Sequence, residues 1–216
     1  MADVILENQV VRVNNIFCIG RNYVDHVAEL KNEASAEPVV FMKPNNSILL
    51  NGETIQLPSY SDSVHYECEL TLLIGQDLDA DWSGDDLSAI SGYGVGLDLT
   101  ARYVQTYLKE KQLPWTKGKG FRGAACMSDF IASSKIANPQ QTEFTLKLNG
   151  QLRQHGHTDH MVYSLTAILK ELATSYGLRA GDVIFTGTPA GVGKLHSGDE
   201  LVLDLAGLVQ AKFKVA

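Results

Sequence analysis

The sequence predicts an α+β fold in which β-structure dominates. Three observations carry this. Short apolar runs bounded by Gly, Pro or Asn recur along the chain, while few segments keep a helical period. The strand-like runs do not alternate strictly with helices, which disfavours a doubly wound parallel sheet. No repeat and no Pro/Ser-rich linker divides the 216 residues, so a single domain over 1–216 is expected.

The elements follow in order. IFCI at 16–19 is an apolar strand that stops at Gly20, and Asn22 stands where an N-cap would open a short helix, YVDHVAELK. Pro38 restarts extended structure, and VVFM at 39–42 reads as a buried strand closed by Lys43-Pro44. Asn51-Gly52 suggests a hairpin between SILL and TIQL. Residues 67–74, ECELTLLI, and 92–99, GYGVGLDL, are two further strands. Thr100 is placed to cap a helix, ARYVQTYLKEKQL, with Ala101, Val104, Leu108 and nearby Tyr107 on one face. The stretch PWTKGKGFRGAA reads as irregular. Residues 143–154 form the clearest hairpin, EFTLKL and QLRQ around Asn149-Gly150. SLTAILKELATSY at 164–176 is an amphipathic helix stopped by Gly177, and DVIFTG, ELVLDL and VQAKFKV complete the strands.

Composition narrows the function. Lys plus Arg total 18 against 25 Asp plus Glu, a net charge of −7, so the basic footprint of a nucleic-acid binder is missing. No apolar run approaches the length of a membrane span. Asp3 and Glu7 precede the first base, Arg12, which is the wrong order for a secretory or transit sequence, and a cytoplasmic protein is expected. Cys18, Cys68 and Cys126 are odd in number and widely spaced, as reduced thiols would be.

Several constellations could carry chemistry. In His65-Tyr66-Glu67-Cys68-Glu69 the two glutamates are two apart on a strand and share a face. Like charges so close call for a proton or a hard cation between them, unless the face is simply solvated. Asp98 lies in an apolar, Gly-rich strand, where a lone charge would be costly. Arg102 and Gln105 follow at helical spacing, so Asp98 either joins the glutamates or pairs locally with Arg102. His26 and Glu29, at i and i+3, could form a base that activates water or could be plain surface. FTGTPAGVG at 185–193 offers backbone N–H groups to an anion, but it matches neither the P-loop nor a dinucleotide fingerprint. HGHTDH looks like a zinc motif, with His155, His157, Asp159 and His160 as ligands of an alternative zinc hydrolase. Only His196 remains downstream as a further histidine.

Taken together, IGRNYVDHVAEL, EPVVFMKP, HYECEL, GLDLTARYVQ, WTKGKGF, NGQLRQ, GDVIFTGTPAGVG and GDEL resemble, in order, the fumarylacetoacetate hydrolase superfamily, closest to its short acylpyruvase and oxaloacetate-acting branch. The resemblance implies a mixed β-sandwich roll with a mobile lid helix, a homodimer, and one Mg²⁺ or Mn²⁺ per chain on Glu67, Glu69 and Asp98. It implies a His26/Glu29 dyad on the lid, Lys119 and Gln105 as further catalytic groups, and Arg21, Lys43, Arg102 and Thr188 on the substrate side. Tyr66 stands where relatives often carry a second histidine, and Cys68 where an aliphatic is usual, which is expected to tune the site. The substrate implied is a small 2-oxo or 2,4-dioxo acid. Acylpyruvate hydrolysis to pyruvate and a carboxylic acid is the leading expectation, with oxaloacetate enol–keto tautomerisation or decarboxylation as the alternative. All three need an enolate steadied beside a carboxylate.

Overall fold

The structure, a computed structural model, describes residues 3–25, 37–82, 84 and 86–216. Its largest sheet is mixed and has eight strands. Seven run in the order Val39–Lys43, Ile16–Gly20, Val183–Phe185, Cys68–Ile74, Ile90–Asp98, Ala125–Met127 and Ile48–Leu50. The eighth, Ile131–Ala132, also pairs with Ile90–Asp98. All seven residues of Cys68–Ile74 are buried. Both faces of this strand are therefore covered, which is why it reads as a nearly continuous apolar run.

A second sheet orders Gln151–His157, Glu143–Leu148, Glu200–Leu205, Val209–Val215 and Thr54–Ile55. Its alternating inward residues, among them Leu146, Leu203 and Phe213, join Leu70, Leu72, Val95 and Leu97 of the large sheet in one core. Each such side chain contributes roughly 1.5–3 kcal/mol by leaving water. A smaller core on the other side holds Val4, Ile16, Leu73, Met127 and Phe185. The hairpin Asp3–Leu6/Gln9–Arg12 supplies Val4 to it. Thr100–Ala101, Val64–Tyr66 and Gly193–Lys194 make a three-stranded sheet at the site. The predominantly β, α+β class is as the sequence predicts.

Two elements match their sequence signals closely. The hairpin Glu143–Leu148/Gln151–His157 turns at Asn149-Gly150, both with positive φ. The helix Leu165–Ser175 is capped by Ser164, whose hydroxyl accepts from Ala167 N at 3.2 Å, and it buries Leu165, Ile168, Leu169 and Leu172.

Other expectations need correction. Asn51-Gly52 does not close a hairpin. Ile48–Leu50 pairs in parallel with Ala125–Met127, and Thr54–Ile55 with Val209–Val215, so the turn passes the chain from one sheet to the other. Val39–Lys43 is an edge strand and only half-buried, with Met42 exposed. Thr100 does not cap the following helix: its hydroxyl donates to Asp98 O at 3.2 Å, and Arg102–Glu110 begins without a side-chain cap. That helix buries Gln105 and Leu108, while Tyr107 faces solvent. The stretch taken as irregular contains a short helix, Thr116–Lys119. Asn22 is buried, and its side chain ties the end of the first long strand to Thr186 O at 2.8 Å and Tyr163 N at 2.7 Å.

Candidate active site

The site is built at a strand break. Val64–Tyr66 and Cys68–Ile74 are separated at Glu67, whose carbonyl accepts from Asp98 N at 2.8 Å. The register then pairs Cys68 with Leu97 and Glu69 with Gly96. Glu67, Glu69 and Asp98 thus converge, one carboxylate oxygen from each lying within 4.8 Å of the others, and all three residues are buried. Glu67 and Glu69 share one face as their spacing predicts, and that face is interior rather than solvated.

Three cations answer these acids. Lys119 Nζ bridges two of them, 2.7 Å from Glu67 Oε2 and 2.6 Å from Asp98 Oδ2. Burial alone would lower the ammonium's pKa, but Asp98 and Glu67 hold it above the usual lysine range. Arg102 ion-pairs with Glu67 Oε1, and its other nitrogen donates to Gln105 Oε1 at 3.0 Å. Lys43 Nζ lies 2.7 Å from Asp98 Oδ1. By distance this is an ion pair, but its alignment is not that of a hydrogen bond, so the buried oxygen keeps an open acceptor direction. The local Asp98–Arg102 pair weighed from sequence does not form, since Arg102 goes to Glu67.

Glu69 differs from its neighbours. It accepts one backbone bond, from Gly187 N at 2.7 Å, and has no cationic partner among the described residues. Burial, followed by the charges of Asp98 and Glu67, pushes its carboxyl well above the usual range. The backbone N–H that the Gly-rich turn offers is therefore given to the Glu69 carboxyl. A gathered set of hard oxygen donors, with one carboxylate uncompensated and one oxygen open, fits a divalent cation such as Mg²⁺ or Mn²⁺.

The remaining expected residues fall variously. Lys43 cannot reach substrate: its side chain is 0% exposed and also donates to Leu99 O at 3.3 Å and to Lys119 O, sealed beneath Asp98. Thr188 is buried, and its hydroxyl donates to Cys68 O at 2.8 Å while accepting from Gln154 Nε2 at 2.8 Å. It can therefore only accept from a ligand, not donate to one. Arg21 sits past the strand end with φ 60°, a left-handed conformation that costs a non-glycine residue about 1 kcal/mol or more. His26 and Glu29 lie outside the described residues. Gln154, which spacing did not single out, is 1% exposed and binds Cys68 N at 2.9 Å, Thr188 and Pro189 O at 2.9 Å. Its signal was the single inward polar position in an otherwise outward-polar hairpin strand.

His155, His157, Asp159 and His160 do not assemble as zinc ligands. Among the described residues, only the Glu67/Glu69/Asp98 group brings three ligand atoms together. His155 instead meets Glu143 at 3.0 Å, and His157 meets Asp159. The three cysteines are free and buried, and burial pushes the thiols of Cys18, Cys68 and Cys126 upward, away from reactivity. No helix among the described residues is long and apolar enough to cross a membrane.

Comparison with known proteins completes the picture. The family profile described as fumarylacetoacetate (FAA) hydrolase C-terminal matches residues 15–216. The chain is 40% identical over 201 residues to oxaloacetate tautomerase FAHD1, mitochondrial, of Homo sapiens, covering 93% of this chain and 91% of that one. It is 39% identical over 196 residues to oxaloacetate tautomerase YcgM of Escherichia coli, covering 90% of each. The crystal structure of fumarylpyruvate hydrolase from Pseudomonas aeruginosa in complex with Mn²⁺ and pyruvate is similar with a TM-score of 0.93 at 30% identity, covering 100% of this chain and 97% of that one.

Proposed function

The chain belongs to the fumarylacetoacetate hydrolase family, and on that premise we propose that it is a divalent-metal-dependent oxaloacetate enol–keto tautomerase. The observation that carries the reading is the charge balance of the buried cluster. With all three carboxylates ionised, as a bound ion would hold them, their charge is balanced by that of Lys43, Arg102 and Lys119. The two positive charges of a divalent ion are then matched by the two negative charges of a dicarboxylate such as oxaloacetate. A monoanionic acylpyruvate such as acetylpyruvate leaves one unmatched, whereas dianionic fumarylpyruvate does not. Between the two dianions, the names of the FAHD1 and YcgM relatives favour oxaloacetate.

Glu67, Glu69 and Asp98 would hold the ion, which supplies a Lewis acid for the 2-oxo oxygen of the substrate. Lys119, kept as an ammonium by its two carboxylates, offsets negative charge as the enolate develops. Arg102 fixes the Gln105 carbonyl, which leaves the Gln105 amide N–H groups to orient a ligand oxygen. Gln154 and Thr188 lock the turn whose Gly187 N–H positions Glu69. We assign the proton transfer to His26 and Glu29.

Acylpyruvate hydrolysis is the second reading, favoured by the similarity to fumarylpyruvate hydrolase. It additionally requires an activated water, whereas tautomerisation only moves a proton. The test is a paired assay in Mg²⁺. Enol-oxaloacetate should ketonise at least about tenfold faster per enzyme than acetylpyruvate is cleaved, a gap of about 1.4 kcal/mol in barrier. Pyruvate should form from oxaloacetate no faster than in Mg²⁺ without enzyme. Faster cleavage of acetylpyruvate would replace the first reading by the second, and pyruvate formed above that background would make the enzyme a decarboxylase.

A further inference from the structure

Two buried amide side chains grip the turn that faces the acid cluster. The strand Val183–Phe185 pairs with Cys68–Ile74 only as far as Phe185 opposite Thr71. Beyond it Gly187, with φ 102°, carries the chain away from the ladder. Side chains then take over that edge of Cys68–Ile74. The Thr186 hydroxyl donates to Leu70 O at 2.9 Å and the Thr188 hydroxyl to Cys68 O at 2.8 Å, while Cys68 N donates to Gln154 Oε1 at 2.9 Å. Backbone groups buried without partners are costly, so these side chains replace a missing strand. Cys68 stands between Glu67 and Glu69, so whatever holds its backbone also holds the direction in which both glutamates leave the strand.

The grip comes from two distant elements. Asn22 is buried just past the strand Ile16–Gly20. Its Nδ2 donates to Thr186 O at 2.8 Å and to Tyr163 O at 3.3 Å, and its Oδ1 accepts from Tyr163 N at 2.7 Å. Gln154 comes from the edge strand of the second sheet, and its Nε2 donates to Thr188 Oγ1 at 2.8 Å and to Pro189 O at 2.9 Å. Each amide commits both N–H groups and its oxygen, so neither swings without breaking several bonds at once. Thr186 is held by the one, Thr188 and Pro189 by the other. Gly187 lies between them, and its N–H meets Glu69 Oε2 at 2.7 Å.

We infer that Asn22 and Gln154 are positioning residues of the metal centre: acting together on the turn 186–189 and on Cys68, they aim Glu69 at the ion and so set the affinity of the site. The inference rests on the reading that Glu67, Glu69 and Asp98 hold a divalent cation. Ligating side chains have to be kept within about 0.5 Å of productive geometry by the groups around them. Removing such an outer partner typically weakens metal binding about 10–100-fold. Gln140 shows what a merely structural amide looks like. It ties Thr158 O at 2.6 Å to Leu165 N at 2.8 Å, and among the described residues its bonds reach neither the turn nor Cys68.

The test is Mn²⁺ binding followed by electron paramagnetic resonance, beside urea unfolding of the metal-free protein. Gln154→Met and Asn22→Leu should each weaken Mn²⁺ about tenfold or more and alter the spectrum of the bound ion. Gln140→Met should leave affinity within about twofold and the spectrum native, even where it lowers urea stability as much. Gln154→Asn and Asn22→Ser are milder changes that decide the matter if the larger ones prevent folding, and each should weaken Mn²⁺ about threefold or more. Native Mn²⁺ affinity in the variants of either residue, or an equal loss in Gln140→Met, overturns the inference. Failure of the wild type to bind Mn²⁺ overturns the metal reading itself, and the positioning role with it.

Discussion

Glu69 is buried beside Glu67 and Asp98 with no cation in contact among the described residues, so burial and its two acidic neighbours oppose its ionisation more than Lys119 and the Gly187 N–H favour it. Its folded-state pKa is raised, so the folded state holds the proton more tightly than the unfolded chain does. In metal-free protein the stability contributed by this group is therefore present at and below the ordinary carboxylate range and is lost as pH rises above it. Melting of the chelated protein should show this decline as pH rises above the ordinary carboxylate range, and Glu69→Gln should flatten it. An unchanged slope in the variant would separate the titration from Glu69. Glu69→Ala should also remove Mg²⁺-dependent turnover. Lys119→Met leaves Glu67 and Asp98 short of a buried counter-charge and should lower metal-free stability by about 3–5 kcal/mol in urea unfolding. At this scale the two glutamates and Asp98 were legible, because their spacing and apolar surroundings are local facts. The roles of Lys43 and Gln154 were not, since both depend on what folds over them from distant segments. Their inward direction is a tertiary property.

Among the elements, the turn after Val183–Phe185 carries the one backbone donor to Glu69 among the described residues. Gly187 has φ 102°, and a Cβ there would stand 2.7 Å from Asn22 Cβ. Gly187→Ala should cost about 1–3 kcal/mol and weaken Mg²⁺ binding through the displaced N–H, which equilibrium dialysis would register. A stable variant with native affinity would show that the turn does not position Glu69. The hairpin at Asn149-Gly150 and the helix Leu165–Ser175 were readable because turn chemistry, cap and period agree locally. Asn51-Gly52 carries the same turn signal yet joins two sheets, because both flanking strands find parallel partners far away in sequence. The half-buried state of Val39–Lys43 followed from its place at the sheet edge, which no pattern within VVFM reveals.

For the molecule as a whole, the site draws on Lys43, Glu67, Asp98, Lys119 and Gly187, each from a different stretch of chain, so ion binding and folding are linked. At a hundredfold excess over Kd, Mg²⁺ should stabilise the fold by about 2.7 kcal/mol. That corresponds to roughly 5–11 °C in Tm for a chain of this size. The Glu69→Gln variant should show a much smaller shift. The β-dominated class was readable from many short strands and few helices, while the division into two main sheets was not, because pairing partners leave no trace in single-strand patterns.

The most direct measurement is anomalous diffraction from a crystal grown in Mn²⁺. One strong peak per chain, with oxygens of Glu67, Glu69 and Asp98 all bound to it, is the predicted result. A crystal whose Mn²⁺ lies elsewhere, or whose three carboxylates bind no ion at all, would contradict the account.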